Sequence, residues 1–316
     1  MKKLAIILIV FFVTITMGLS AQNLNSAGKA YNKGIELAQE GNTQGAIESY
    51  QKCADICSEL EEIGEGLKVK AETQICNIYI KMGVEKFKVK NYDSAIILFT
   101  ESDKYAQLID DPSTTTKINS YFAASYTGSG NALYKTKKYK KAVENYNKAI
   151  EYNPEYPKAW YGLVLGYSKL DESGMLEESV KKVEEYSSDE QLKAKAKLAA
   201  GKYFLKVCGD AIQEENYSIA TMMADRSIQY NKEDPTAFYY LALASNAQAN
   251  WVNAQKAAMK AISFEQGDQS NYYFELGRAY EGQGDTEKAC EAYSNVTEGP
   301  NTEAAKYQRN QVLHCN

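Results

Sequence analysis

Histidine is almost missing: His314 is the single one in 316 residues. Imidazole base or nucleophile chemistry would have to run through a residue beside the chain end. The six cysteines are Cys53, Cys57, Cys76, Cys208, Cys290 and Cys315, and none forms a CxxC pair. With no clustered His and Cys ligands, neither a metal nor a cofactor is expected. Only five prolines occur, and alternating β-branched runs are few, which argues for helix nearly throughout. Without strands there is no strand–loop–helix phosphate site, so Gly128-Ser129-Gly130 reads as helix interior. Paired carboxylates such as Glu61-Glu62 and Asp110-Asp111 read as solvated helix ends and loops, so no enzyme is expected. Thirty-six Lys+Arg against 41 Asp+Glu leave a net charge of −5, and no Arg/Lys stripe is read. Nucleic acid and an anionic membrane surface are therefore not expected partners.

Long apolar runs are also lacking beyond the N-terminus. Met1-Lys2-Lys3 precedes an uncharged stretch from Leu4 to Met17, then Gly18-Leu19-Ser20-Ala21. That order is a secretory signal peptide with cleavage expected after Ala21, giving a leader over 1–21. The apolar run falls short of the ~20 residues that span a bilayer. An uncleaved anchor is the alternative. No cysteine adjoins the site, so a lipid anchor is not expected. The mature chain is expected to be exported, to the periplasm or to the cell surface and outer membrane, with no integral membrane segment.

What the chain has is a ladder of small residues. Ala46, Ala95, Ala142, Ala220, Ala254 and Ala289 each follow, by twelve positions, Gly34, Gly83, Gly130, Cys208, Ala242 and Gly277. Tyr92, Tyr139, Tyr217 and Trp251 stand three residues before four of these alanines. With Leu176 filling one slot, the steps from 142 onward are 34, 44, 34 and 35 residues, and earlier steps are 49 and 47. A period near 34 means a helical repeat array, whose units bury their faces only by stacking. The spacing predicts seven helix pairs: 25–39 with 43–62, 68–90 with 92–108, 117–137 with 139–151, 158–170 with 175–186, 191–214 with 217–230, 236–249 with 251–263, and 270–282 with 286–296. A turn is expected at Gly64–Gly66. One more helix is expected over 301–313, so that 22–300 forms the array and 301–316 caps it. Within a pair, Gly277 and Ala289 are expected to face one another and let the helices approach, with aromatics in the flanking gaps.

These positions resemble the tetratricopeptide repeat. The matching residues are Tyr273, Leu276, Gly277, Tyr280, Ala289 and Tyr293; Gly130, Ala142, Tyr146, Ala149 and Pro154; and Trp160, Leu163 and Tyr167. The resemblance covers roughly 25–300. It implies an all-α, right-handed superhelical solenoid whose first helices line a concave groove that binds a peptide or partner protein. The subgroup that clamps a C-terminal carboxylate with Lys and Asn is not matched, since the analogous places carry Tyr31, Ile35, Thr127 and Asn131.

In the repeat frame the groove positions hold Tyr31, Tyr134, Tyr161, Tyr239, Tyr240 and Phe274, with Lys135, Lys158, Lys202, Lys206, Asn246 and Arg278. Ligand contact is expected to centre on Tyr161, Lys202, Lys206, Tyr239, Tyr240, Phe274 and Arg278. Aromatics beside cations suit an extended peptide. They also suit a cell-envelope glycan such as peptidoglycan, which stacks on exposed rings; exposure of Tyr161, Tyr239 and Tyr240 separates the two readings. With 25 tyrosines, most must be inter-helix filler. Cys290 and Cys315 can meet if the last helix folds back at Gly299-Pro300, or remain two buried thiols. Cys53 or Cys57 with Cys76 is a similar option, and Cys208 reads as core.

Overall fold

The computed structural model describes residues 2–315, with side chains from Ala21 onward. The expected leader thus lies outside the residues whose side chains are described. Every regular element among the described residues is helical. In chain order these are α1 (Lys2–Gln39), α2 (Thr43–Ser58), α3 (Glu62–Lys88), α4 (Tyr92–Leu108), α5 (Pro112–Lys135), α6 (Tyr139–Tyr152) and α7 (Pro157–Leu170). They continue as α8 (Ser173–Tyr186), α9 (Glu190–Gln213), α10 (Tyr217–Tyr230), α11 (Pro235–Ala247), α12 (Trp251–Phe264), α13 (Ser270–Gly282), α14 (Thr286–Ser294) and α15 (Thr302–Tyr307). No described helix is long and apolar enough to cross a membrane.

The chain divides into two compact units, Met1–Gly162 and Leu163–Asn316. In the first, α1 packs on α2, α2 on α3, α3 on α4, α4 on α5 and α5 on α6. In the second, α8 packs on α9, α9 on α10 and so on through α14, each helix on the next. This is the solenoid order: contacts run between neighbours in sequence, not across a common centre.

Turn chemistry sets each pair. Gly41, Lys90, Lys137, Asp171, Glu215, Ala249 and Gly284 all have left-handed φ between 56° and 80°. The residue after each sends its N–H back to a carbonyl five residues earlier, as Asn42 to Leu37, Asn91 to Lys86 and Asp285 to Tyr280. That closes the first helix with a Schellman-type stop. The same residue then caps the second helix: the Asn42, Asn91, Asn216 and Asp285 side chains accept from the backbone N–H three residues on.

The ladder positions Ala46, Ala95, Ala142, Leu176, Ala220, Ala254 and Ala289 are all fully buried. The aromatics expected in the flanking gaps take a definite place: each ladder glycine lies against an aromatic ring sixteen residues later. A Cβ on Gly34 would stand 2.7 Å from the Tyr50 ring, on Gly83 2.5 Å from Phe99, on Gly130 2.6 Å from Tyr146, and on Gly277 2.6 Å from Tyr293. Tyr146 is also covered by Gly162, where a Cβ would come within 2.5 Å. The rings are the bulk that fills each pair, and the glycines make room for them.

Two boundaries are corrected. The first inter-pair turn is at Glu59–Glu61, not Gly64–Gly66; Glu61 takes the left-handed conformation, with φ 49°. Gly64 and Gly66 lie inside α3, and Gly64 is buried where a Cβ would strike the Cys57 carbonyl. At the other end, the expected helix over 301–313 is α15 followed by a wider π-helical turn, Gln308–Val312.

Cys290 and Cys315 form a disulfide with Cα atoms 5.7 Å apart, tying that terminal segment to α14. The proposed bond of Cys53 or Cys57 to Cys76 is absent; all three are free and buried. Cys76 instead lies 3.3 Å from Ser102 Oγ, on α4. Burial pushes the Cys53 and Cys208 thiols up to about 12, so both stay protonated and inert.

Two stability measurements test this packing. Gly83→Ala should lower the unfolding free energy by about 1–3 kcal/mol, because Phe99 has no room to retreat. Gly66→Ala, with nothing within 4 Å, should raise it by about 0.5–1 kcal/mol. Urea denaturation of both reads the contrast; shifts of the same sign would refute the ring-on-glycine account. Replacing Cys290 and Cys315 by Ser should remove up to about 3 kcal/mol for a 25-residue separation. Amide exchange should accelerate first in 302–313, and unchanged protection there would show that the bond adds nothing.

Candidate functional site

Seven residues were expected to form one ligand surface, and they fall in both units. Tyr161 lies in the first unit, partly buried, with its hydroxyl pushed up by burial. The other six lie in the second. Lys202 and Lys206 are exposed on α9, and Lys206 pairs with Asp210 at 3.2 Å. Tyr240 packs into the core between α9 and α11, 3.4 Å from where a Gly209 Cβ would be. Tyr239 sits 5.7 Å from Tyr240 and 5.5 Å from Tyr272, ring centre to ring centre. Burial, with the Glu275 charge nearby, pushes its hydroxyl up to about 12. Tyr239 and Tyr240 are thus partly buried among neighbouring helices and rings.

Phe274 and Arg278 do share a site. They line a cleft of about 370 Å³ with Trp251, Glu281, Gly282, Tyr293 and Gln308. Each wall has a sequence reason. Phe274 and Arg278 are four apart on α13 and so project from one helix face. Trp251, the ladder aromatic opening α12, lies against Gly282, which has no Cβ to block it. Tyr293 is the ring that covers Gly277, and its centre is 5.7 Å from Phe274. Its hydroxyl donates to Glu281 at 2.7 Å. Burial, then that carboxylate, pushes the Tyr293 hydroxyl up. Gln308 comes from the π-helical turn that the disulfide holds in place.

The charge on Arg278 is held from beneath. Its Nη1 donates to both Glu275 carboxylate oxygens, at 3.1 and 3.3 Å. The Glu275 side chain is 4% exposed, that of Arg278 37%. Asn246 on α11 completes the anchor: its Nδ2 donates to the Glu275 carboxylate at 2.7 Å and to the Glu275 carbonyl at 2.9 Å. Asn246 was expected in the groove; it is 2% exposed and acts as a strut, because α13 covers it. Burial pushes the Glu275 carboxyl up, opposed by Arg278 and Asn246. The guanidinium is therefore oriented at the cleft it lines. Gln308 also lines the cleft, but its Oε1 is buried away from solvent and accepts nothing from the described residues. One oriented donor beside aromatic walls is the equipment for a ligand that carries C=O groups and an apolar side chain.

Sequence reasoning found Phe274 and Arg278 and missed Glu275, Trp251, Glu281 and Gln308. Trp251 was legible in outline, as the ladder aromatic three residues before Ala254. Glu275 was marked only by its spacing of three from Arg278. Nothing local marked Gln308, which a long-range bond places.

Family models of the tetratricopeptide repeat match residues 30–59, 130–170 and 270–298. The last of these includes most of the cleft. Among solved structures, a MamA protein is similar at 20% identity, with 63% of this chain and 96% of that one covered and a TM-score of 0.37. YrrB, described as a tetratricopeptide-repeat protein with an unusual peptide-binding site, is similar at 14% identity, 67% and 97% coverage and a TM-score of 0.37. A tetratricopeptide-repeat protein from Parabacteroides merdae is similar at 17% identity, 92% and 100% coverage and a TM-score of 0.29.

The anchoring of Arg278 has a stability signature. Arg278→Ala leaves the Glu275 carboxylate buried with Asn246 alone, and should cost about 1–3 kcal/mol at pH 7, discounted because Arg278 is partly exposed. Glu275 already holds its proton more tightly folded than unfolded, and the variant raises that affinity further. Its contribution is then full below the unfolded pKa and is lost as pH rises through the folded one. The gap between variant and parent should therefore narrow as pH falls toward the ordinary glutamate range. Denaturation curves at pH 7 and near pH 4 read this, and a constant gap would mean Arg278 does not neutralise Glu275.

Proposed function

We propose that this tetratricopeptide-repeat protein is an exported, non-enzymatic scaffold that binds a peptide or partner protein, and that the Phe274–Arg278 cleft is where it grips. The repeats support the coarse reading, since such arrays are generally protein-interaction scaffolds. The cleft supports the finer one. Peptide backbone needs a donor and an acceptor at close spacing, and an apolar side chain needs a ring to lie on. Arg278 offers the donor, beside the Trp251 and Phe274 rings, in one cleft. Export is proposed from the order of charge, apolar run and small residues over 1–21.

A glycan would stack on exposed rings, and Tyr239 and Tyr240 are only partly exposed. The observation that carries the peptide reading is the Arg278 guanidinium, oriented by Glu275 and lining one cleft with the Trp251 and Phe274 rings.

The test is selection of a displayed random-peptide library on the full chain, followed by anisotropy titration of the enriched peptides. Phe274→Ala should weaken them by about 1 kcal/mol or more, roughly five-fold or greater, while helicity is kept. Tyr161→Ala, which lies in the other unit, should leave them unchanged. Enrichment of peptides indifferent to Phe274 would move the binding surface elsewhere. Retention on peptidoglycan with no peptide enrichment would favour the glycan reading.

A further inference from the structure

The first unit carries a lysine edge that the net charge hides. The turn between α3 and α4 presents Lys86, Lys88 and Lys90; the turn between α5 and α6 presents Lys135, Lys137, Lys138, Lys140 and Lys141. All eight are exposed. The fold makes them one surface, because Lys90 and Tyr92 from the first turn and Leu133 and Thr136 beside the second border one cleft of about 350 Å³. Tyr92 locks the two together by lying against Gly128 of α5. The stripe that sequence reading did not find is assembled by this stacking.

The edge is unfavourable as it stands. Among the described residues, none of the eight lysines has a carboxylate within 4 Å, whereas ten other cations in the chain do. Asp93 is the one acid lining the cleft. Lys138, Lys140 and Lys141 also crowd the N-terminal turn of α6, where the helix dipole is already positive. Where Asn91 caps α4, Lys138 caps α6 with no side-chain hydrogen bond. Between Lys88 and Lys90 stands Val89, 72% exposed, the most exposed of the large apolar side chains.

We propose that this edge docks on an anionic bilayer surface, with the lysines on lipid phosphates and Val89 entering the headgroup layer. Charge complementarity calls for an anionic partner, and three features choose among such partners. The cations are all lysine, point charges that meet scattered phosphates, with no arginine fork for a base edge or a paired carboxylate. The lysines stand on turns at the ends of the helices, and only Lys90 lines the cleft between them, so no row of cations follows a groove as a nucleic-acid strand would need. An exposed valine flanked by lysines matches an interfacial segment, apolar tip inward and ammonium groups at the headgroups. The proposal is independent of the Phe274–Arg278 cleft, which lies in the other unit, so either can fail alone.

The experiment is sedimentation of the full chain with vesicles of phosphatidylcholine, alone or with about one-third phosphatidylglycerol. Binding should be at least about tenfold tighter on the anionic vesicles and should weaken steeply as salt is raised. Reversing Lys137, Lys138, Lys140 and Lys141 to Glu should abolish that preference. Neutralising them to Gln should reduce it about tenfold or more and guards against misfolding from the reversal; circular dichroism checks both. Val89→Asp should weaken anionic-vesicle binding several-fold. Residues 1–21 include Lys2 and Lys3 and are common to every variant, so what that segment contributes cancels when variants are compared on the same vesicles. Equal binding to the two vesicles, or a preference that survives the Gln variant, overturns the proposal. So does a duplex oligonucleotide that binds more tightly than vesicles at equal phosphate, which would mark a nucleic-acid edge instead.

Discussion

An aromatic ring packed onto a glycine is the contact on which the repeat pairs depend. It recurs four times at a fixed separation of sixteen residues: Gly34 with Tyr50, Gly83 with Phe99, Gly130 with Tyr146, Gly277 with Tyr293. In a helical hairpin closed by a left-handed residue and an Asx cap, that separation sets the two positions opposite each other. The ring is a large, buried side chain, and the glycine opposite leaves room for it. Where the glycine is replaced, the ring goes too. Cys208 is matched by Ala224, and Ala242 by Ala258, all buried in one cluster. Large-with-none and small-with-small are two ways to fill the same space.

That constraint explains what the sequence made legible. The alanine ladder identified the buried positions because alanine there is fixed by close packing, and all six alanines are fully buried. Helix count followed, and the bounds of α4, α10 and α13 agree with the spacing. The pairing inside each unit did not follow, because the glycine's partner is a ring whose own position is not small. Gly64 and Gly66 show the complementary error. Glycine was read as a turn former, yet Gly64 serves a close approach inside α3 while Glu61 bears the left-handed turn. A glycine alone does not say whether its φ or its missing Cβ matters.

The candidate site was legible only where a residue's role is carried by its own helix. Phe274 and Arg278 share a face of α13, so the repeat frame placed both. Glu275 and Asn246 act across helices, and a buried carboxylate is visible only once its cover is known. Tyr239 and Tyr240, read as groove residues, are partly covered by neighbours for the same reason. The frame gives direction, while burial depends on the size of the neighbour, here Tyr272 and the Gly209 position.

Charge follows the same rule at a larger scale. A net charge of −5 with no Arg/Lys stripe in the sequence argued against an anionic partner, yet an average over 316 residues says nothing of turns brought side by side. In a stacked array the turns of successive pairs share one edge, so a charge bias in two consecutive turns adds up there. The turns that carry the lysines of 86–90 and 135–141 are about fifty residues apart in sequence, and Lys90 of the first and Thr136 of the second border one cleft. Cores of such arrays are consumed by ring and alanine packing, and the freedom left to the sequence lies in turns, ends and uncovered helix faces. Specific chemistry should therefore collect in those places. The cleft completed by the tethered terminal segment is one, and the lysine edge built from two turns is another.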